Sequence, residues 1–147
     1  MRKYALDTKL YVHAFRDAAR AREFEVFFNA FTPSTYLSTI VLHELLAGSN
    51  TNEKAREIER WVAGPLERVG RVFTPSHECW RRAGDALARM AREGKVDLRR
   101  VPKSFGFDVL LAVSCRESGV TLVTEDGGDF ERIQRYVQFE FVPPWPP

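Results

Sequence analysis

Short apolar runs alternating with longer amphipathic stretches constrain this chain more than any other feature. Tyr4-Ala5-Leu6, Thr35 to Ser38 and Val120 to Thr124 read as brief strands, the last rich in β-branched residues. Gln138 to Val142 reads as a final strand and Val69 to Thr74 as a short extended piece. Helical patterns fill the intervals. Residues 10–31 place Phe24, Phe27, Phe28 and Phe31 at helical spacing, as one long helix or two with a break, ended by Pro33-Ser34. Thr39 is a candidate cap for a helix running to Gly48. Asn52 is one for a helix that turns Ile58, Trp61 and Val62 inward and breaks near Gly64-Pro65. Ser76 opens a helix that ends at Gly94, and Ser104 one that Gly119 stops. Val96 to Lys103 reads as a basic loop, Asp126-Gly127-Gly128-Asp129 as a turn, and Phe130 to Ile133 as a short helix. Strands alternating with helices specify an α/β fold: a mainly parallel sheet covered on both faces.

The chain has 147 residues, 44% of them hydrophobic, which suits one domain around one core. That domain is expected over residues 1–142, with Pro143-Pro144-Trp145-Pro146-Pro147 a stiff tail. No apolar stretch approaches the ~20 residues of a membrane span, so no membrane association is expected. Met1-Arg2-Lys3 leads straight into the first strand without an apolar leader, so no secretory signal is expected. Cys79 and Cys115 show no metal-type spacing, and a reducing cytoplasm is the expected home.

Four separated segments each set an acid in an apolar frame: Tyr4-Ala5-Leu6-Asp7-Thr8, Val41-Leu42-His43-Glu44-Leu45, Phe107-Asp108-Val109-Leu110, and Thr121-Leu122-Val123-Thr124-Glu125-Asp126. Lone carboxylates are costly to bury. In parallel α/β sheets ligands gather beyond the C-terminal strand ends. Asp7 and Asp126 follow strands, while Glu44 and Asp108 lie in the first turns of helices, so all four can face that end. Converging carboxylates repel one another and need a cation, and oxygen ligands favour Mg²⁺ or Mn²⁺. Metal-assisted phosphodiester hydrolysis is the reaction such a set serves. Each acid also has a plainer reading. Asp7 is a strand-end turn residue, Glu44 a solvated helix residue, Asp108 a charge matched to a helix N-terminus, and Asp126-Gly127 a turn signal.

Taken in order and spacing, these segments resemble the PIN-domain ribonucleases, especially the VapC-type toxins of toxin–antitoxin pairs. The resemblance spans nearly the whole chain. It rests on Tyr4-Ala5-Leu6-Asp7-Thr8, Glu44 followed by Leu45 and Gly48, Asp108 heading an apolar helix, and Thr124-Glu125-Asp126-Gly127-Gly128-Asp129-Phe130. It implies a three-layer α/β/α sandwich and a metal-dependent endoribonuclease using Mg²⁺ or Mn²⁺. It makes Asp7, Glu44, Asp108 and Asp126 the catalytic acids, with Asp7, Asp108 and Asp126 on the metal. Thr8, Thr124 and Asp129 take supporting places. It further implies an RNA substrate, a homodimer and a cognate antitoxin. Two positions depart from the pattern: Lys9 stands where the family usually has Asn, and Glu125 where many members carry a basic residue.

The histidines, His13, His43 and His77, form no H-E-x-x-H or other zinc spacing and read as structural or surface residues. No G-x-S-x-G elbow and no phosphate-binding glycine loop occurs. Arg81 to Lys103 is the densest basic region; its helical members read as a solvated face, and Arg99, Arg100 and Lys103 as RNA-phosphate contacts. Net charge is only +2, but a pocket that gathers acids leaves the remaining surface more basic. The alternatives are a PIN-type RNA-processing nuclease without an antitoxin and a non-catalytic module that keeps the fold.

Overall fold

The computed structural model describes residues 2–147; Met1, the first residue of the expected domain, lies outside them. Five parallel strands form one sheet in the order β3-β2-β1-β4-β5. They are β1 (Lys3–Leu6), β2 (Thr35–Ser38), β3 (Val72–Phe73), β4 (Val120–Val123) and β5 (Phe141–Val142). Eight α-helices flank the sheet: α1 (Thr8–Arg16), α2 (Ala18–Phe31), α3 (Thr39–Ala47), α4 (Asn52–Ile58), α5 (Gly64–Arg68), α6 (His77–Arg92), α7 (Lys103–Ser118) and α8 (Gly127–Gln134). The expected α/β sandwich is what forms. β4 is buried along its whole length and β1 over Tyr4, Ala5 and Leu6, as a central parallel strand covered on both faces must be. The chain builds outward from β1 through β2 to β3, then crosses back to place β4 on β1's other side. That reversal sits between β1 and β4, where an open α/β sheet leaves a crevice beyond its strand ends.

α7 is the central helix. Phe105 and every residue from Val109 to Cys115 are buried, and the helix packs on α6 and β4. Gly119 ends it in the left-handed region, φ 67°, a conformation that penalises any residue with a Cβ.

Several boundaries differ from the sequence reading, each for a local reason. The long 10–31 stretch is two helices, because the Asp17 side chain caps α2 by accepting from the Ala19 and Arg20 N–H groups. Ser38 caps α3 in place of Thr39, and Thr51 caps α4 in place of Asn52. α7 begins at Lys103 after Pro102, so Ser104 lies inside it. Gly64-Pro65 does not break its helix. A π-helical turn over Glu59–Ala63 joins α4 to α5, and Pro65 falls in the first turn of α5, where a missing N–H costs little. The Glu59 carbonyl would lie 2.8 Å from a Cβ at position 64, so this turn requires glycine there. The Asp126–Asp129 turn is already helical from Gly127, and the last strand pairs only over Phe141–Val142.

The aromatic face of α2 folds back on its own chain. Phe27 is buried between Tyr4, with ring centroids 5.5 Å apart, and Trp145 of the proline-rich tail, stacked at 5.0 Å. Phe24 meets Trp145 edge-on at 5.9 Å. Trp145→Ala is therefore expected to lower unfolding free energy by about 1–2 kcal/mol, because a half-buried indole and two aromatic pairs are lost. Urea denaturation of both proteins measures it; equal midpoints would show that the tail contributes nothing to the folded core.

Candidate functional site

The register of the two central strands builds the site. Leu6 pairs with Val123, so the next residue on each strand, Asp7 and Thr124, emerges side by side at the C-terminal edge. The Asp7 N–H still reaches the Val123 carbonyl at 3.0 Å, which fixes the backbone as it leaves the sheet. Asp7 is only 6% exposed and is the sole buried Asp, Glu, Lys, Arg or His among the described residues. Both of its carboxylate oxygens have donors. Oδ1 accepts from the Thr8 N–H at 2.8 Å, capping α1, and Oδ2 accepts from the Thr124 hydroxyl at 2.8 Å. The Thr124 hydroxyl in turn accepts from the Asp126 N–H at 3.0 Å. On the other side, the Thr8 hydroxyl donates to Glu44 Oε1 at 2.9 Å, tying α1 to α3.

Asp108 joins this group from the second turn of α7. Burial, and then the charges of Asp7, Glu44, Asp129 and Asp126, push its carboxyl up to about 8. Burial likewise raises Asp7, with Asp126 and Glu44 adding to the shift and the bonds from Thr124 and Thr8 opposing it. Five acids, from the end of β1, from α3 and α7, and from the β4–α8 connection and the first turn of α8, thus share one electrostatic neighbourhood.

The acids fall into two classes by their partners. Asp126 is ion-paired to Lys9 at 2.9 Å and Asp129 to Arg132 at 3.7 Å. Glu125 meets His13 at 2.6 Å and Arg20 at 3.2 Å. Asp7 and Glu44 are met only by hydroxyl and backbone donors, and no Lys, Arg or His lies within ion-pair distance of Asp7, Glu44 or Asp108 among the described residues. The inner three lack a cation; the outer three have one from the protein.

The sequence reading expected Asp7, Glu44, Asp108, Asp126, Thr8 and Thr124 to share one site; hydrogen bonds link Asp7, Thr8, Glu44, Thr124 and Asp126, and Asp108 feels the charges of Asp7, Glu44 and Asp126 without bonding to them. Asp129 also adds its charge, from an exposed position. Arg99 and Arg100 lie on the exposed loop before α7 and pair with Asp97 at 3.7 and 3.6 Å; Lys103 is exposed at the first position of α7. None of the three forms a contact with the acids. The pairing of His13 and Arg20 with Glu125 escaped the sequence reading, because 105 residues separate Arg20 from its partner. These side chains line a cavity of about 670 Å³ that opens beside the acids, with Thr124 on the shared border and Trp145 on the far wall.

The donor set suits a hard divalent cation: carboxylate oxygens, partly buried, with mutual repulsion that such an ion relieves. As the side chains stand, no three acids, imidazoles or thiols among the described residues close into a ready cage. Their oxygens are turned onto Thr8, Thr124 and Lys9 instead.

The profile of the PIN domain family matches residues 4–136. No curated protein matches the chain. Among solved structures, VapBC from Salmonella typhimurium bound to DNA is similar at 24% identity and a TM-score of 0.66, over 97% of this chain and 98% of that one. FitAcB from Neisseria gonorrhoeae is similar at 18% identity and a TM-score of 0.69, over 97% and 98%. VapBC2 from Rickettsia felis, bound to a promoter DNA fragment, is similar at 20% identity and a TM-score of 0.63, again over 97% and 98%. At these identities the likeness to the solved structures concerns the fold.

The raised Asp108 and Asp7 carboxyls set a pH dependence. An acid with a higher pKa folded than unfolded holds its proton more tightly when folded. Its contribution to stability therefore falls as pH rises from the ordinary carboxylate range through about 8. In EDTA, the melting temperature is expected to drop between pH 5 and pH 8.5, and Asp108→Asn to flatten that drop. Calorimetric melts across this range test it; a wild-type melt that rises or stays level would contradict the raised carboxyls of Asp108 and Asp7.

Proposed function

We infer the activity from family and geometry together: the chain belongs to the PIN domain family, and its three inner acids lack any protein cation. We propose that it is a divalent-metal-dependent endoribonuclease, using Mg²⁺ or Mn²⁺, and the toxin of a toxin–antitoxin pair. The observation that carries this reading is the convergence of Asp7, Glu44 and Asp108 from three separate elements onto one cation-deficient point at the β1–β4 reversal.

Asp7 and Asp108 are the proposed ligands, with Asp126 bordering the same centre. A divalent ion held there would supply an acidified water and charge stabilisation on the departing oxygen. Thr124 and the Thr8 N–H fix the rotamer of Asp7, so its oxygens are oriented before any ion arrives. Glu44, steered by the Thr8 hydroxyl, is placed to orient the attacking water or to accept its proton. Arg99, Arg100 and Lys103, exposed ahead of the Asp108 helix, are the proposed contacts for the RNA backbone. The VapBC and FitAcB structures that share this fold support a cognate antitoxin as partner, and a homodimer is the proposed working form. No helix among the described residues is long and apolar enough to cross a membrane, in keeping with the cytoplasm proposed as its place of action.

Asp7→Asn tests the reading. Asn caps helices as well as Asp does, so the fold should persist. RNA cleavage should fall by at least about a hundredfold, since a ligand is removed. Excess EDTA should do the same to the wild type and added Mn²⁺ should restore it. Cleavage mapped on RNA at wild-type rate in Asp7→Asn, or in EDTA, would refute the assignment.

A further inference from the structure

Lys9 has no part in the chemistry proposed above, yet it enters the site. It sits in the first turn of α1, two residues after Asp7, and its Nζ lies 2.9 Å from Asp126 Oδ1. The contact joins α1 to the start of α8 across the β1–β4 junction. With the lysine side chain 58% exposed, such a pair adds little to stability. Its effect lies in its location. Asp126 donates its N–H to the Thr124 hydroxyl, which donates to Asp7 Oδ2. Ammonium, Asp126, Thr124 and Asp7 therefore form one continuous hydrogen-bonded chain that ends on a proposed metal ligand.

A fixed ammonium in that chain acts on an incoming dication in two ways. It occupies a carboxylate oxygen of Asp126, which the ion would otherwise take. It also places a like charge beside the ion. Asp7, Glu44 and Asp108 have no such occupant among the described residues.

We propose that Lys9 is a built-in monovalent occupant of the Asp126 side of the centre, so that the chain takes a single divalent ion, on the Asp7–Asp108 side. This rests on the metal-dependent reading given above. In this arrangement the lysine, and not a second metal, supplies the second positive charge, and Asp126 serves it as counter-ion. Lys9 thereby tunes how tightly the centre holds its ion and how many ions it admits.

The test is calorimetric titration of the purified full chain with MnCl₂ at low ionic strength, comparing wild type, Lys9→Met and Lys9→Arg. The wild type should take one Mn²⁺ per chain. Lys9→Met should bind Mn²⁺ about threefold to tenfold more tightly, with the gain shrinking as KCl is added, because the lysine is solvent-exposed. Lys9→Arg keeps the charge and should bind like the wild type. Identical isotherms for wild type and Lys9→Met, or two ions in the wild type, would overturn the role of Lys9 and leave the centre itself standing. Absence of Mn²⁺ binding in all three would remove the centre, and the inference with it.

Discussion

The hydrogen bond from Thr124 to Asp7 ties the site to the fold. It exists because β1 and β4 pair in parallel with Leu6 opposite Val123, so that two polar residues leave the sheet as neighbours. A carboxylate as buried as Asp7 carries a large desolvation penalty. The Thr124 hydroxyl and the Thr8 N–H offset part of it, and the same two donors set the direction of the side chain. Fold and site are thus one arrangement: the strand pairing that closes the sheet also orients the acid. Threonine suits position 124 because it is β-branched at a strand end and carries a hydroxyl able to donate to Asp7 while accepting from Asp126.

What could be read from the sequence followed from periodicity and from polar residues in apolar frames. The central strands are short and unbroken apolar runs, and Asp7 and Asp126 stand directly beyond them, so strand geometry alone put them at one edge. Glu44 and Asp108 needed a second step, from helix position to site, and the helices lie where that step requires. The readings that moved were those governed by single side chains. Whether Ser38 or Thr39 caps α3 depends on which oxygen meets a free N–H, a difference of one residue that periodicity does not resolve. The helix through Gly64-Pro65 survives because a π turn absorbs the irregularity, and no local propensity signals that turn. Long-range polar pairs were also hidden. Lys9 with Asp126 and Arg20 with Glu125 join residues more than a hundred positions apart, through surface side chains that follow no repeating pattern.

The distribution of positive charge separates acids that the sequence presents as equals. Asp7, Glu44, Asp108 and Asp126 each sit in an apolar frame, yet only Asp126 is answered by a protein cation. Glu125, on the same connection, and Asp129, in the first turn of α8, are answered as well. The rim is therefore close to neutral and the interior is not. Burial, with the charges of Asp7 and Glu44 adding to it, lifts the Asp108 carboxyl, and no protein cation opposes the shift.

That contrast bears on the order in which a cation and a polyanion can approach. A phosphate backbone nearing the acid cluster before any cation is seated meets carboxylate charge at close range in a partly desolvated site, where Coulomb repulsion is stronger than in water. A neutral rim does nothing to reverse that repulsion. A dication seated among the inner acids does, and it turns the same point from repulsive to attractive for phosphate. Lys9, Arg132 and Arg20 then have a second consequence: by neutralising the outer acids, they confine the negative potential to the inner three. On this argument metal binding precedes productive RNA binding, and the arrangement of ion pairs around the rim keeps the ion's charge, once bound, from being dissipated by neighbouring carboxylates.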